Sequence, residues 1–460
     1  MKKRIYIVLV FIGVSLLANT ISAQVHIKGS IEIDLNSGLF TCDVNLSNIP
    51  ELKEYRILLN KGMNVKYFKD KKNELINYNG HYDGEMKGEA IEYVLKVDST
   101  TALKELNVTY LGAFPVYAND YNNFDYKGII AFNNQTVRAT EQTKWYPVIY
   151  DSVHDKLMNS YTYDLTISIV GGDTIFLNGT APQKKNTARF VSKKAYPLLL
   201  FAGTYDFIEN DGDYILNTAV TKENAKDIFK NIEIIKSNLS RNLDLEFTDH
   251  IYLINHKAIN QRKKGSSWGF NTYPSFAFTG LDFNELTDEN GKFSNDYLRY
   301  FGHEFGHNYF GNNVLSGKLK WFWLESFAEY LSYNIAEDLI GIEFLKEVLI
   351  KRAKYLKEDD VFIPLHNIKD TNEIGEKYRY IMAPLMLKCF EDTFGRAKMN
   401  LVIKSLLEFA KSETLTLQYF KKSAIKSGIK KEDFEEFEKK FMTNENFKQN
   451  IIQEIKNRYN

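Results

Sequence analysis

The feature that most constrains the fold of this chain is a change in hydrophobic pattern, from strand-like runs to helical periodicity. Between residue 24 and about residue 198, short apolar runs alternate with clusters of Asn, Asp and Gly, which is typical of strands joined by turns. The strand-like runs lie at 30–34, 55–59, 90–97, 106–111, 161–170 and 173–177. At 221–239 apolar residues recur every three or four positions, and from about residue 330 nearly the whole chain is helix-like.

This order predicts a multidomain α+β protein with three parts after its first 23 residues. We expect an N-terminal β-sandwich-like domain at 24–198, a mixed α/β domain at 199–345 and a C-terminal α-helical region at 346–460. A length of 460 residues is ample for several hydrophobic cores. The chain has 8 prolines, and we expect tightly packed domains rather than a flexible tether.

The first 23 residues have the pattern of a secretory signal sequence. Lys2, Lys3 and Arg4 precede an apolar run at 5–18, and small residues lead to a cleavage point after Ala23. A membrane anchor is the alternative, but this run is shorter than the roughly 20 residues that a bilayer core requires. We expect an exported protein, periplasmic or extracellular, with no stable membrane span after cleavage.

Charge and cysteine content exclude several classes of protein. Lys and Arg (59) balance Asp and Glu (59), and no long block of one sign occurs, so nucleic acid is a poor candidate partner. The two cysteines, Cys42 and Cys389, are far apart in sequence and form no disulfide framework. We expect stability to come from core burial.

The candidate chemistry is concentrated in the sequence His303-Glu304-Phe305-Gly306-His307, which follows a helix-compatible stretch at 295–301. In a helix, a four-residue separation returns the second imidazole to within about 40° of the first, roughly 6 Å away. Two imidazoles so placed can bind one zinc ion. Glu304 projects about 100° away from His303, so it can act as a general base on water without being a ligand.

A third ligand is available on a second predicted helix, which opens near residue 321. Seventeen residues separate His307 from Glu325, enough for a helix end, a loop and a returning helix. Two histidines and one glutamate leave the fourth position of a zinc ion open, which is typical of a catalytic site. Glu329 lies one turn after Glu325 and is the alternative ligand, a carboxylate that orients a ligating imidazole, or a solvated surface group.

These residues resemble the gluzincin metallopeptidases of the aminopeptidase N type. That family reads His-Glu-x-x-His-x-Trp-Phe-Gly-Asn-x-Val, followed after about eighteen residues by Glu-Gly-Phe-Ala. The sequences at 303–314 and 325–328 follow this pattern closely, with one residue fewer before Glu325. The resemblance implies one Zn²⁺ per chain held by His303, His307 and Glu325, with Glu304 as general base. It also implies a thermolysin-like catalytic domain at 199–345 between the β domain and the helical region.

The resemblance also implies a tyrosine that stabilises the oxyanion of the tetrahedral intermediate. The stretch from Tyr380 to Gly395 matches the family's segment in length, apolar spacing and terminal Gly, although the family's lysine is missing. Tyr380 is therefore the expected residue, with Tyr378 as the alternative. A core tyrosine is a further possibility in a chain with 29 of them.

One family feature is absent from the sequence. The family has a Gly-x-Met-Glu-Asn strand before the zinc helix, whose glutamate binds the free amino terminus of the substrate. The matching region at 264–280 contains no carboxylate, and Asp282 and Glu285 are the nearest acids. We expect residues 273–279 to form an edge strand that pairs with an extended peptide. Weaker discrimination against N-blocked peptides should follow.

The predicted function is metal-assisted hydrolysis of a peptide bond in a peptide or protein substrate. Glu304 would take a proton from water and pass it to the leaving amine, while Tyr380 would donate to the oxyanion. An aminopeptidase is one form of this function, and an endopeptidase or hydrolase that needs no free amino terminus is another. A non-catalytic binding protein on the same fold is the third alternative. Side-chain preference, natural substrate and oligomeric state have no signature in the sequence.

Overall fold

The computed structural model describes residues 24–82, 90–97, 102–117, 125–256, 259 and 268–460. The predicted signal sequence lies outside the described residues. Strands come first along the chain, a mixed segment follows and helices come last, as the sequence pattern predicted. No helix of the described residues is long and apolar enough to cross a membrane.

The described residues of the N-terminal part form three sheets. In chain order its strands are β1 (His26–Asp34), β2 (Leu39–Ser47), β3 (Arg56–Asn60), β4 (Met63–Lys69), β5 (Leu75–Ile76), β6 (Tyr78–Tyr82), β7 (Ala90–Leu95), β8 (Glu105–Ala113), β9 (Ala131–Phe132), β10 (Thr136–Ala139), β11 (Val148–Asp151), β12 (Lys156–Met158), β13 (Ser160–Val170), β14 (Thr174–Leu177), β15 (Thr187–Pro197) and β16 (Leu200–Gly203). One sheet has the order β15-β13-β1-β2-β8-β4-β5, a second has β12-β11-β3-β7-β6 and a third has β14-β16-β10-β9.

Alternating burial explains how these strands pack. In β13, Tyr161, Tyr163, Leu165 and Ile167 are buried, while the residues between them are partly exposed. This period of two puts one face of the sheet against the interior. Buried residues from all three sheets form a single hydrophobic cluster that runs from Val25 to Ala202.

A mixed sheet and the first long helix follow. Its strands are β17 (Phe207–Asn210), β18 (Asp213–Leu216), β19 (Tyr252–Asn255), β20 (Trp268–Thr272) and β21 (Ser275–Thr279), and α1 (Lys222–Leu243) crosses over between β18 and β19. The strand order is β17-β18-β19-β21-β20, with β18, β19 and β21 parallel. α1 buries Ile228, Ile232, Ile235 and Leu239 at helical spacing, which is why the predicted helix forms here.

The position of β21 corrects one expectation. The stretch 273–279 was expected to be an edge strand, but β21 pairs with β19 on one side and with β20 on the other. The edge strands of this sheet are β17 and β20. Strand order depends on contacts between distant segments, and the local sequence does not contain that information.

Helices make up the rest of the chain. They are α2 (Asn295–Gly306), α3 (Phe327–Ile335), α4 (Ile342–Tyr355), α5 (Ala383–Phe394), α6 (Arg396–Ala410), α7 (Leu417–Lys426), α8 (Lys431–Glu438) and α9 (Phe447–Tyr459). Buried residues from Ile215 to Tyr459 belong to one hydrophobic cluster, so the mixed segment and the helical region share a core. Both cysteines are buried and free, Cys42 in β2 and Cys389 in α5.

Candidate metal centre

Helix α2 positions the two histidines. Phe301 and Phe305 pack against Phe278 and Phe276 of β21, with ring centroids 5.5 and 4.5 Å apart, and fix one face of the helix on the sheet. His303 and His307 lie on the other side of the helix. Their ring centroids are 4.9 Å apart and their planes are nearly perpendicular, at 88°. The spacing expected from a helical His-Glu-x-x-His sequence is therefore present.

Two glycines bring α3 close to α2. A Cβ atom on Gly302 would lie 2.9 Å from Cγ1 of Ile335, and one on Gly306 would lie 3.0 Å from Cα of Ala328. Real Cβ atoms essentially never approach as closely as the first distance, and the second is tighter than nine in ten real Cβ contacts. Both positions therefore favour a residue without a Cβ atom. The close packing places the start of α3 against the imidazoles.

Glu325 completes a group of three donors with His303 and His307. Its Oε2 atom lies 3.5 Å from Nε2 of His303 and 3.5 Å from Nε2 of His307. The ligand atoms of the three residues all lie within 4.8 Å of one another. A tetrahedral zinc ion with ligands about 2.0–2.2 Å away separates them by roughly 3.3–3.5 Å. The donor types and their separations therefore fit Zn²⁺.

The remaining ring nitrogens are held by acceptors. Nδ1 of His303 lies 3.0 Å from Oε2 of Glu329, and Nδ1 of His307 lies 3.1 Å from the carbonyl oxygen of Phe310. A carbonyl or carboxylate oxygen can only accept, so both Nδ1 atoms donate. The lone pairs of both Nε2 atoms remain free to bind a metal.

Glu329 is the centre of a buried charge cluster. Its Oε1 atom accepts hydrogen bonds from Arg299 at 2.8 Å and Arg352 at 2.9 Å. Burial alone would raise its pKa, but Arg299, His303 and Arg352 outweigh burial and lower the pKa of Glu329 to about 2. Glu329 is therefore not a solvated surface group, and it is not one of the three clustered donors. It contacts Nδ1 of His303, the ring nitrogen opposite the one that faces Glu325.

Glu304 is buried next to the three donors, with 7% of its surface exposed. Burial raises its pKa, and the charge of Glu325 contributes in the same direction. Electrostatic interactions with His303, His307 and Lys127 oppose this shift. A buried carboxylate with a raised pKa beside a group of possible metal ligands is a candidate general base.

The two candidate tyrosines have different surroundings. The Tyr380 ring lies 5.9 Å from the His303 ring. Burial and the charge of Glu325 both raise the pKa of the Tyr380 hydroxyl. Tyr378 is buried, and its hydroxyl donates to the carbonyl oxygen of Ile363 at 2.9 Å. The structure therefore brings Tyr380 to the donor cluster and uses Tyr378 in packing.

The two acids nearest to the region that lacks the family's strand glutamate are surface residues. Asp282 and Glu285 are exposed, and Asp282 accepts a hydrogen bond from the backbone of Asn284 at 2.9 Å. A different carboxylate reaches the edge strand β20. Glu141 comes from a short turn after β10, and its Oε2 atom accepts a hydrogen bond from Oγ1 of Thr272 at 2.8 Å. It lies 131 positions before Thr272, and no local pattern in the sequence connects the two.

The aromatic residues of β20 mainly pack in the interior. Trp268 and Phe270 belong to a third hydrophobic cluster, between the N-terminal sheets and the mixed sheet, and the guanidinium of Arg138 lies 5.5 and 5.4 Å from their rings. Tyr273 donates to Oδ2 of Asp249 at 2.5 Å. With His307, Tyr273 also lines a cavity of about 210 Å³.

Searches with the sequence against family models and against curated proteins found no match. Solved structures do share the fold. Native yeast LTA4 hydrolase has 14% sequence identity to this chain and superposes on it with a TM-score of 0.64. The match covers 91% of this chain and 67% of the yeast chain. An M1 zinc metallopeptidase from Deinococcus radiodurans has 12% sequence identity to this chain and a TM-score of 0.59. This match covers 90% of this chain and 93% of the Deinococcus chain. A mutant of the Deinococcus enzyme, bound to a Tyr-Ser-Ala substrate, is 12% identical with a TM-score of 0.58. The chain therefore has the fold of M1 zinc metallopeptidases.

Proposed function

We propose that this chain is a zinc-dependent peptidase of the gluzincin type, with one Zn²⁺ held by His303, His307 and Glu325. The observation that carries the proposal is the cluster of three donors within 4.8 Å, with Glu304 buried beside it. The ring of Tyr380 lies 5.9 Å from the ring of His303. The Deinococcus structure with a Tyr-Ser-Ala substrate supports a peptide as the substrate class.

The chain's own residues account for the proton transfers. A bound Zn²⁺ supplies a Lewis acid for water and for the scissile carbonyl. Glu304 takes a proton from the attacking water at its carboxylate oxygen and delivers it to the leaving amine nitrogen. The Tyr380 hydroxyl donates a hydrogen bond to the developing oxyanion. Glu329 holds the His303 ring in place through Nδ1.

Two finer statements belong to the same proposal. The sequence resemblance and the shared fold of yeast LTA4 hydrolase, solved in complex with bestatin, support an aminopeptidase. The absence of a carboxylate at 264–280 supports the alternative, a peptidase that needs no free amino terminus. Export to the periplasm or the outside of the cell is supported by the pattern of residues 1–23. The domain boundaries at 198 and 345 also stay predictions.

The test is metal analysis of the purified protein combined with turnover of a peptide library with free and blocked ends. We expect about one zinc per chain and cleavage that disappears on chelation and returns when zinc is added. Bound zinc without cleavage of any peptide would contradict the proposal and favour a binding protein.

A further inference from the structure

Glu141 and the edge strand β20 form a binding site for an ammonium group, and Lys127 occupies it. The Lys127 Nζ atom lies 2.5 Å from Oε1 of Glu141 and 2.5 Å from the carbonyl oxygen of Asn271. Thr272 binds the other carboxylate oxygen of Glu141. A carboxylate and a strand carbonyl are the groups that would hold a charged amine in place.

This ammonium site is close to the catalytic residues. The charge of Lys127 is one of those that act on Glu304. A Cβ atom on Gly269, also in β20, would lie 2.7 Å from the hydroxyl oxygen of Tyr300 in α2. The edge strand therefore runs beside the helix that carries Glu304. A substrate paired with β20 would extend past Lys127 and Glu141.

Burial makes the pair a fixed part of the site. The side chain of Glu141 is 3% exposed and that of Lys127 is 21% exposed. A carboxylate buried to this degree needs a partner, and Lys127 supplies the compensating charge. The backbone of Lys127 is anchored as well, because its carbonyl oxygen accepts a hydrogen bond from Thr140 at 2.9 Å.

We propose that the Lys127 ammonium takes the place of the substrate's amino terminus, so that this peptidase cleaves peptides whose residue before the scissile bond is acylated. Such substrates are internal peptide bonds and N-blocked ends. A free amino terminus would meet the positive charge of Lys127 and a carboxylate that is already paired. The inference rests on the proposed peptidase function and adds its substrate class.

The first test needs no variant. The specificity constants of the full-length zinc protein are measured for one peptide with a free amino end and for its N-acetylated twin. We expect the acetylated twin to be cleaved at least as efficiently as the free peptide. A preference for the free peptide of more than about tenfold would overturn the inference, since a dedicated amine site gives far larger ratios.

The second test removes the internal ammonium. Lys127→Met keeps the length of the side chain and leaves Glu141 available for a substrate amine. We expect the ratio of free to acetylated cleavage to rise by about tenfold or more. Adding Glu141→Gln to this variant should abolish the rise. Lys184→Met, which removes an ammonium 2.8 Å from Asp206 at the surface, is the matched control and should leave the ratio unchanged.

The outcomes separate this inference from the proposed function. If Lys127→Met folds and the ratio stays at its wild-type value, the pair only joins the N-terminal sheets to β20 and the inference is wrong. If Lys127→Met does not fold, the wild-type ratio still decides. Failure to cleave either twin or any library peptide would instead overturn the peptidase proposal itself.

Discussion

Glu325 and Glu329 contact His303 from its two opposite ring nitrogens, although they are only one helical turn apart. Nε2 of His303 faces Glu325 at 3.5 Å and Nδ1 faces Glu329 at 3.0 Å. The sequence left open which carboxylate is the ligand. The answer depends on the rotation of α3 relative to α2, and this rotation is set by packing at Gly302 and Gly306 rather than by spacing along the chain.

Replacing the two carboxylates should separate their roles. We predict that Glu325→Ala lowers zinc occupancy far more than Glu329→Ala, because a ligand contributes both a bond and a charge. The loss for Glu329→Ala should be about 10- to 100-fold in zinc affinity, through a less firmly held His303. Metal analysis and zinc titration of both purified variants check this. Greater zinc loss from the Glu329 variant would reverse the assignment.

The two tyrosines offer a matched pair of substitutions. We predict that Tyr380→Phe lowers the turnover number by about 10²- to 10³-fold and leaves zinc content unchanged, because a donor to the oxyanion is lost. Tyr378→Phe loses only the bond to Ile363 and should cost about 0.5–1.5 kcal/mol in stability. Turnover numbers and denaturant titrations of both variants are the measurements. Equal turnover by the two variants would exclude Tyr380 as the donor.

At the scale of elements, wide helical turns carry both Glu325 and Tyr380. Phe322–Ser326 and Tyr378–Met382 are π-helical, and each leads directly into a regular helix, α3 or α5. Such turns are often found at functional sites because they change the direction of a side chain. The sequence predicted the helices but not these turns, which have no local signature.

The contact between α2 and α3 can be tested through a glycine. We predict that Gly302→Ala destabilises the protein by about 1–3 kcal/mol and weakens zinc binding, because the new methyl group would lie 2.9 Å from Ile335. This should occur although alanine favours helices more than glycine does. Gly375→Ala is the control, since a Cβ atom there meets nothing within 4 Å. Chemical denaturation of both variants gives the comparison.

At the scale of the whole molecule, the site joins distant parts of the chain. The motif at 303–307 and its helix were predictable, because a four-residue spacing is a local property. Glu141 and Lys127 were not, since both come from the N-terminal β-rich part and meet β20 only after folding. The edge position was not predictable for the same reason, because strand order also depends on contacts made during folding. Residues 273–279 were expected at the edge of the sheet, but β20 lies there instead.

Zinc should stabilise the folded protein by mass action, because the three donors converge only when α2 and α3 are packed together. We predict an increase of about 2.7 kcal/mol in the free energy of unfolding at a zinc concentration 100 times the dissociation constant. Thermal melts of the chelated and zinc-loaded protein measure this effect. The gain should disappear in Glu325→Ala, and an equal gain in that variant would place the bound zinc elsewhere.

The rate of peptide hydrolysis by Glu304→Gln, measured with its zinc content, tests the central claim most directly. The amide keeps the shape of the side chain but cannot accept the proton of the attacking water. We predict full zinc occupancy and a loss of about 10²- to 10⁴-fold or more in turnover. A variant that binds zinc and cleaves peptides at the wild-type rate would contradict the account.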